Sequence, residues 1–296
     1  MSLADLSRFE MTRERSLDGL CAVVSARHEK GLSTILYAGG TDWMVEQEMR
    51  APLAEDPPLV VDIGRMSELR GIDLAGDLLR IGAATTYLEL ERSEVVQARA
   101  PMLVRMAKDV GAVQIQARGT LGGNLATASP AADGVAALAA YDATILVRSA
   151  RGERRIAMAD LQTGYKKSTR AADEIIVAVE LALPPGGSPW YWRKVGARRA
   201  QAISKVALAG LAVVEGGRAT RVGLGMVSVA PVTARMPATR ALVLGKSLAE
   251  ITGEAIDRAV SADVTPIDDV RSTGEYRLHV ARALTRDWLR QLGAGV

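Results

Sequence analysis

The stretch GTLGGNLATASPAAD, residues 119–133, joins three glycines to a run of small side chains and carries a single charge. A segment with so little side-chain bulk forms either a tight turn or a place where a ligand or another backbone comes close. Consecutive glycines permit positive φ and expose backbone N–H groups, which together suit a phosphate. The stretch therefore predicts a phosphate-binding loop, with an ordinary turn as the alternative.

A second glycine pair occurs in YAGGTDW, residues 37–43, directly after a predicted strand. Thr41 and Thr120 carry hydroxyls that can donate to phosphate oxygens, and Asn124 can brace its loop or donate as well. Two such loops predict a diphosphate ligand. Chance pairing is the alternative, because the chain contains 28 glycines and other Gly-Gly pairs occur at 186–187 and 216–217.

The content of cysteine and histidine excludes several classes of site. Cys21 is the only cysteine, so the chain forms no internal disulfide and no thiolate cluster for zinc or iron–sulfur. Any metal centre must then belong to a partner chain. His28 and His279 lie far apart in charged helical segments, which argues against a histidine-based triad or zinc site. Cys21 itself lies in an apolar-periodic segment and is predicted to be a buried thiol.

Charge and hydropathy limit the possible partners. The formal net charge is +3, and lysine and arginine are spread along the chain, so we expect no nucleic-acid binding. No apolar run approaches the roughly 20 residues of a membrane span. The N-terminal segment MSLADLSRFEMTRERS is charged and lacks the apolar block of a signal peptide. These features predict a cytoplasmic protein.

The length of 296 residues predicts two or three subdomains, and hydrophobic periodicity predicts an α+β fold. A helix is expected from Leu17 and ends before Gly31. Further helices are expected in APMLVRMAKDVG and PAADGVAALAAYD, and short strands in STILYAGG, PLVVDIG, LLRIGAATT and ATILVRS. Together these elements predict a domain of two lobes that extends to about Pro184.

The segment LPPGGSP, residues 183–189, predicts a domain boundary because neither a helix nor a strand continues through its prolines and glycines. Beyond it we expect an antiparallel hairpin that turns at Gly216–Gly217. A capping-box pattern predicts a helix that starts at Ser247 with Glu250 three residues later. A final helix is expected in GEYRLHVARALTRDWLRQL, with one apolar face formed by Leu278, Ala281, Leu284 and Trp288.

The common nucleotide fingerprints are missing. The chain contains no GxGxxG between a strand and a helix and no GxxxxGK[ST], so neither a Rossmann dinucleotide site nor a P-loop is predicted. A diphosphate ligand would therefore require a different fold.

Taken together, YAGGTDW, VDIGRMSELRGI, LRIGAATT and GAVQIQARGTLGGNLATASPAAD resemble the FAD-binding subunit of the molybdenum hydroxylases, the family of xanthine dehydrogenase and carbon monoxide dehydrogenase. DEIIVAVELALP, YWRKVGARRAQAISKVALA and DDVRSTGEYRLHVARAL extend the resemblance over most of the chain. It implies a PCMH/VAO-like FAD-binding domain over 1–184, with lobes of about 1–62 and 63–184. A C-terminal domain like that of the CO dehydrogenase flavoprotein would follow over 190–296, with a small antiparallel sheet and helices.

The resemblance also implies which residues contact a noncovalent FAD that lies extended between the lobes. Two glycine segments would surround its diphosphate: Tyr37, Ala38, Gly39, Gly40, Thr41, Asp42 and Trp43, and then Gly119, Thr120, Leu121, Gly122, Gly123 and Asn124. Asp133 would accept hydrogen bonds at the adenosine side. Val110, Ile176 and Lys194 match positions that contact the rest of the cofactor, and Lys194 would raise the electron affinity of the flavin. Solvated surface is the alternative for Lys194.

The same resemblance implies an electron relay that contributes no catalytic residue and no metal ligand. The molybdenum cofactor and the iron–sulfur clusters would be held by a molybdopterin-binding large subunit and an iron–sulfur subunit, in a heterotrimer or its dimer. FAD would pass electrons to NAD, oxygen or another acceptor. Gln201 and Ala202 stand where xanthine dehydrogenases often carry two acidic residues, which argues against NAD as the acceptor.

Two other functions are consistent with the same motifs. A free-standing FAD-dependent oxidoreductase of similar fold would need its own catalytic acid or base, for which the sequence offers no candidate. A non-catalytic nucleotide-binding protein would keep the glycine segments and lack the contacts to the flavin ring.

Overall fold

Three β-sheets, each packed against helices, organise the part of the chain that is described, residues 6–49 and 57–296 of a computed structural model. The first sheet is parallel, with strand order β1-β3-β2. Its strands and the two helices beside it are β1 (Met11–Thr12), α1 (Leu17–Glu29), β2 (Thr34–Tyr37), α2 (Trp43–Met49) and β3 (Leu59–Asp62).

Helix α1 follows its sequence signals closely. Ser16 caps its N-terminus by accepting a hydrogen bond from the backbone N–H of Gly19 at 3.1 Å. Gly31, just beyond its last turn, adopts φ +70°, a conformation that ends helices at little cost for glycine. Leu20 and Cys21 are buried against the first sheet. The predicted helix and the predicted buried thiol are both confirmed.

The second sheet is antiparallel, with strand order β4-β5-β10-β6-β7. A short hairpin, β8–β9, lies beside it. The elements of this region, in chain order, are β4 (Ile72–Ala75), β5 (Leu78–Gly82), α3 (Tyr87–Arg92), α4 (Glu94–Arg99), α5 (Pro101–Asp109), α6 (Val113–Gln116), α7 (Leu121–Thr127), α8 (Asp133–Ala140), β6 (Thr144–Ser149), β7 (Gly152–Ala157), α9 (Met158–Leu161), β8 (Gln162–Gly164), β9 (Lys167–Ser168) and β10 (Ile175–Ala182).

The third sheet is antiparallel, with strand order β11-β12-β13, and is followed by three helices. These elements are β11 (Trp190–Val195), β12 (Val206–Glu215), β13 (Arg218–Val227), α10 (Pro237–Val243), α11 (Gly253–Asp263) and α12 (Gly274–Gln291). Gly216 and Gly217 both adopt positive φ in the tight turn between β12 and β13, which confirms the predicted hairpin.

Strand β12 buries both of its faces, because side chains alternate across a strand. Ala207, Ala209 and Leu211 pack in the apolar cluster that contains α8, whereas Val206 and Leu208 pack in the cluster that contains α12. The third sheet is therefore a layer between the helices of the second sheet and the C-terminal helices.

Helix α8 approaches β13 backbone to backbone. A Cβ added to Gly223 would lie 1.8 Å from the carbonyl oxygen of Ala140, and one added to Gly225 would lie 2.2 Å from that of Ala136. Both separations are far below a van der Waals contact. Glycine at these two positions therefore lets the first and second halves of the chain pack directly together.

One helix start differs from the prediction. Only a short 3-10 turn, Leu248–Glu250, follows Ser247, and the Ser247 side chain makes no cap hydrogen bond. Helix α11 begins five residues later, where Thr252 accepts a hydrogen bond from the backbone N–H of Ala255 at 3.2 Å. The buried residues Ile256 and Val260 place the helix there, because tertiary packing outweighs a local capping pattern.

Helix α12 agrees with the prediction, since Ala281, Leu284 and Trp288 are buried on its inner face and Leu278 packs beside them. No helix in the described ranges combines the length and apolar character required to cross a bilayer. The first five residues of the charged N-terminal segment lie outside the described part of the chain.

Candidate functional site

The first glycine segment connects the end of β2 to the start of α2. Gly40 adopts φ +74° there, in contact with the ring of Tyr37, so a side chain at this position would be both strained and obstructed. Among the described residues, no protein acceptor lies within hydrogen-bond reach of the backbone N–H groups of Gly40, Thr41 and Asp42. Adjacent free donors in a glycine turn are an arrangement that can bind an anion.

Aromatic packing supports this segment from behind. The ring of Trp43 lies edge-on to Phe9, with ring centroids 5.2 Å apart, and edge-on to Tyr37 at 5.5 Å. The indole Nε1 of Trp43 is buried and has no partner among the described residues. The geometry gives Trp43 a packing role at the start of α2.

The second glycine segment is not the open loop that the sequence predicts. Helix α7 begins at Leu121, so Gly122 and Gly123 lie in its first turn, and neither they nor Gly119 adopt positive φ. The N–H of Gly122 donates to the carbonyl of Ala83 at 2.8 Å, and that of Gly123 donates to Oγ1 of its cap, Thr120, at 3.1 Å. The expectation of free backbone donors is therefore wrong for these two glycines.

Close packing explains the glycines instead. A Cβ on Gly122 would lie 2.6 Å from the side chain of Ala83, and one on Gly119 would lie 3.0 Å from the carbonyl of Ile115. Gly123 differs, because the only atom within 4 Å of its added Cβ is Oγ1 of Thr120 at 2.9 Å. The outer side of Gly123 is therefore open.

The two glycine segments lie in direct contact. A Cβ on Gly39 would lie 1.9 Å from the carbonyl oxygen of Arg118, and Nε of Arg118 donates to the carbonyl of Gly39 at 3.0 Å. Oγ1 of Thr127 in α7 donates to Oδ2 of Asp42 at 2.8 Å. The structure thus brings together two segments that the sequence places about 80 positions apart. The sequence analysis missed Arg118, whose only signal is its position just before Gly119.

A basic cleft of about 830 Å³ borders both segments, within the usual size of ligand sites. Arg13 is bound to Asp62 and Arg70 to Glu89, so part of its charge is paired. Residues of the two glycine segments that line it are Tyr37, Ala38, Gly39 and Thr120. The charged residues along its wall are Arg13, Asp62, Arg65, Arg70, Glu89, Arg92 and Arg118. Its five arginines outnumber its two carboxylates, so the cleft favours an anion.

Two buried polar atoms near α7 have no partner among the described residues: Oδ1 of Asn124 and the hydroxyl of Tyr87. A Cβ on Gly134 would lie 2.6 Å from Oδ1 of Asn124 and 3.1 Å from the hydroxyl oxygen of Tyr87, so glycine at position 134 makes room for both side chains. Burial, with smaller contributions from the charges of Asp133 and Asp42, raises the pKa of Tyr87 well above its ordinary value. Tyr87 is therefore a neutral phenol at physiological pH.

A buried ion pair connects α8 to β11. Nζ of Lys194 donates to Oδ2 of Asp133 at 2.5 Å and to the carbonyl oxygen of Asp109 at 2.9 Å. Both charged side chains are 9% exposed, so Lys194 is not the solvated residue considered as the alternative. Oδ1 of Asp133 accepts a further hydrogen bond from Ser204 at 2.6 Å.

Burial and the neighbouring donors have opposite effects on the pKa of Asp133. Burial raises the pKa of Asp133, while the ammonium of Lys194 and the hydroxyl of Ser204 oppose that increase. The 2.5 Å contact also corrects one expectation. Asp133 and Lys194 cannot serve the adenosine side and the ring side of an extended FAD, respectively, because they touch each other.

The remaining predicted positions lie near this pair or in the adjoining core. Val110 follows Asp109, whose carbonyl binds Lys194, and packs half-buried on the main apolar cluster. Ile176 lies on β10 opposite Val147 of β6 and is buried in the same cluster.

Within the described ranges, no group of three or more histidine, cysteine, aspartate or glutamate side chains is arranged to hold a metal ion. His28 and His279 are exposed on α1 and α12. Cys21 is buried, and that burial raises its pKa.

The parallel sheet, the antiparallel sheet with its helices and the two joined glycine segments define an FAD-binding domain, and the third sheet with its helices forms a C-terminal domain. Residues 7–184 match the family model described as the FAD binding domain in molybdopterin dehydrogenase, and residues 190–292 match the CO dehydrogenase flavoprotein C-terminal domain. The chain therefore belongs to the FAD-binding subunits of the molybdopterin dehydrogenases.

Individual relatives agree with this assignment. The chain is 34% identical to the nicotinate dehydrogenase FAD-subunit of Eubacterium barkeri over 65% of its length and 62% of that subunit. It is 32% identical to the xanthine dehydrogenase FAD-binding subunit of Escherichia coli O157:H7, over 85% of this chain and 86% of the relative. Carbon monoxide dehydrogenase from Hydrogenophaga pseudoflava, solved in a form that lacks the Mo-pyranopterin moiety, contains a similar chain. That chain superposes with a TM-score of 0.87 at 27% identity, with 96% of each chain covered.

Proposed function

We propose that this chain binds FAD noncovalently and relays electrons within a molybdenum-containing hydroxylase complex. The observation that carries the proposal is the contact between the two glycine segments, in which Gly39 packs on the carbonyl of Arg118. The Thr127 hydroxyl lies between Asp42 and the carbonyl of Gly123, next to the free N–H groups of the first segment. Neutral donors at a glycine turn beside a basic cleft fit a diphosphate. The residues present therefore fit FAD.

The two glycine segments contribute to this site in different ways. In the first, backbone donors of Gly40, Thr41 and Asp42 hold the diphosphate, while Tyr37, Ala38, Gly39 and Trp43 shape the turn. In the second, donors come from the side chains of Thr120 and Asn124, because the backbone N–H groups of Gly122 and Gly123 are already engaged. Gly119, Leu121 and Gly122 supply the close packing that positions them.

Lys194 and Asp133 act together at the flavin-ring side of the cofactor, next to Val110 and Ile176. Two of the three N–H bonds of the Lys194 ammonium are used by Asp133 and Asp109, which leaves one for the cofactor. A fixed positive charge near the ring favours the reduced, more negative form of the cofactor. Bound FAD supplies the exchange between one-electron and two-electron transfer, and the chain supplies binding and orientation.

Partner subunits complete the proposed function. A similar chain of Hydrogenophaga pseudoflava is described as the medium chain of its carbon monoxide dehydrogenase. By analogy, we propose an iron–sulfur subunit and a molybdopterin-binding large subunit as partners, in a heterotrimer or its dimer. Location in the cytoplasm stays a prediction.

The proposed domain limits are 1–184 and 190–296, with lobes of about 1–62 and 63–184. The proline–glycine segment between β10 and β11 supports the main boundary, as do the ranges of the two family matches. The segment that connects β3 to β4, residues 63–71, supports the boundary between the lobes.

The experiment is to purify the chain, add FAD, remove the excess and record the visible spectrum before and after acid precipitation. A flavin spectrum that passes entirely into the supernatant on precipitation is expected, because Cys21 is buried and both histidines are exposed on helices away from the glycine segments. Flavin retained in the pellet would contradict noncovalent binding, and a colourless protein would contradict the proposal itself.

A further inference from the structure

Ser204 carries a buried hydroxyl that binds Asp133 of the Lys194–Asp133 pair, and the sequence motifs did not single it out. It lies just before β12 and is 1% exposed. Its Oγ donates to Oδ1 of Asp133 at 2.6 Å, a short hydrogen bond of the kind that a charged acceptor makes. Its own carbonyl oxygen accepts a hydrogen bond from Ser228 at 2.8 Å, which fixes the backbone at this point.

The two oxygens of Asp133 are thus used by different donors. Oδ2 binds the ammonium of Lys194 and Oδ1 binds Ser204. We propose that Ser204 is a positioning residue that keeps Asp133 ionised, so that Asp133 holds the remaining N–H of Lys194 in a fixed direction for the cofactor. This inference rests on the proposed function, because it assigns a purpose to that direction.

The charges that face Asp133 explain why a hydroxyl matters here. Lys194 on β11 stabilises the carboxylate, whereas Asp109 at the end of α5 opposes it, and Tyr87 on α3 is a neutral neighbour. Burial opposes ionisation most strongly, so the carboxylate depends on every donor that reaches it. Removing the Ser204 hydroxyl removes one of the contributions that lower the pKa of Asp133, and protonation then occurs at a higher pH.

Protonation of Asp133 affects Lys194 directly. The only change is uptake of one proton by the carboxyl group, after which Lys194 loses its ionic partner. Lys194 then keeps the carbonyl of Asp109 as a partner but not the carboxylate, so its ammonium is held less firmly in the direction that FAD binding requires. The affinity for FAD should therefore fall as Asp133 becomes protonated.

The test is a titration of FAD binding by flavin fluorescence in the full chain, repeated from pH 5 to pH 8 for matched variants. Ser204→Ala removes the donor, and Ser204→Thr keeps a hydroxyl at the same place. Thr285→Ala is the control, because Thr285 is fully buried and its hydroxyl donates to the carbonyl of Ala281 at 2.8 Å inside α12. The Thr285→Ala variant therefore loses a buried hydrogen bond that lies outside the proposed FAD site.

The acid limb of FAD binding is the pH range over which affinity for FAD falls on acidification. We expect Ser204→Ala to move this limb to higher pH. At the pH where wild-type binding begins to weaken, the Kd of Ser204→Ala should be roughly tenfold higher, as for loss of a hydrogen bond to a charged group. Ser204→Thr should restore the wild-type limb, and Thr285→Ala should lower stability without moving it. A wild-type limb in Ser204→Ala would overturn the inference.

A second variant keeps the test decisive if Ser204→Ala folds poorly. Asp133→Asn removes the group that titrates, so its Kd should not vary across the same pH range. An acid limb that persists unchanged in Asp133→Asn would also overturn the inference. Failure of the proposed function is separate from both results, because the wild-type chain would then show no FAD binding at any pH.

Discussion

Nζ of Lys194 on β11 lies 2.5 Å from Oδ2 of Asp133 at the start of α8. A buried ion pair therefore joins the third sheet to a helix of the FAD-binding domain. Both charged side chains are largely removed from water, and each depends on the other for compensation. The pair is therefore a tie between the two domains, at the place where we propose that the flavin ring binds.

Replacing Lys194 with methionine should be strongly destabilising, because it leaves the carboxylate of Asp133 buried without its cation. We expect a loss of roughly 3–5 kcal/mol in the free energy of unfolding at pH 7, measured by urea denaturation. Adding Asp133→Asn to that variant should recover part of the loss. The loss should also shrink at lower pH, because burial without Lys194 raises the pKa of Asp133 and protonation then removes the charge. Equal stability of the single and double variants would contradict the pairing.

Gly123→Val places a branched side chain on the open side of the second glycine segment, where the diphosphate is proposed to lie. We expect loss of bound FAD with little change in far-ultraviolet circular dichroism, since the added Cβ meets only Thr120 Oγ1. The ratio of flavin to protein absorbance after purification measures the effect. Gly186→Val is the matched control, because nothing lies within 4 Å of its added Cβ. Full FAD occupancy in Gly123→Val would show that the diphosphate does not lie beside Gly123.

Gly223→Ala should disrupt the packing of β13 on α8, because its added Cβ would stand 1.8 Å from the carbonyl oxygen of Ala140. Overpacking of this kind costs about 1–3 kcal/mol or more. We expect a lower Tm in thermal unfolding, compared with a small change for Gly164→Ala, whose nearest neighbour is the flexible side chain of Lys167 at 3.7 Å. Equal Tm values for the two variants would show that the backbone contact is absent in solution.

The corrected start of α11 gives a separate prediction. Thr252→Ala should destabilise the protein by about 1 kcal/mol, since it removes the cap that accepts from Ala255. Ser247→Ala should change stability by less than about 0.5 kcal/mol, because its side chain makes no cap hydrogen bond. Denaturant unfolding of the two variants measures both. The reverse order would restore the capping box that the sequence suggests.

Features that depend on residues close together in the sequence were predictable from it. The apolar spacing from Leu17 and the stop at Gly31 define α1, and the Gly216–Gly217 turn defines the β12–β13 hairpin. In each case the signal lies within the element itself. Ser247 shows the limit of such signals, because its local pattern is good and yet burial of Ile256 decides where the helix begins.

The candidate site was predictable in its motifs but not in its contacts. Both glycine segments could be identified, yet the packing of Gly122 on Ala83 and the link from Arg118 to Gly39 depend on how separate elements meet. Ser204 reaches Asp133 across 71 positions of sequence. Such contacts follow from sheet order and helix placement, which no local pattern encodes.

The central claim, that this chain relays electrons through bound FAD and depends on partner subunits, is tested most directly by anaerobic flavin absorbance. The FAD-loaded chain alone and the complex purified through a tag on this chain are each exposed to dithionite and then, separately, to purines, aldehydes and carbon monoxide. We predict that dithionite bleaches the flavin in both samples, whereas a substrate bleaches it only in the complex. Bleaching of the isolated chain by a substrate would contradict the relay and identify a free-standing flavoenzyme.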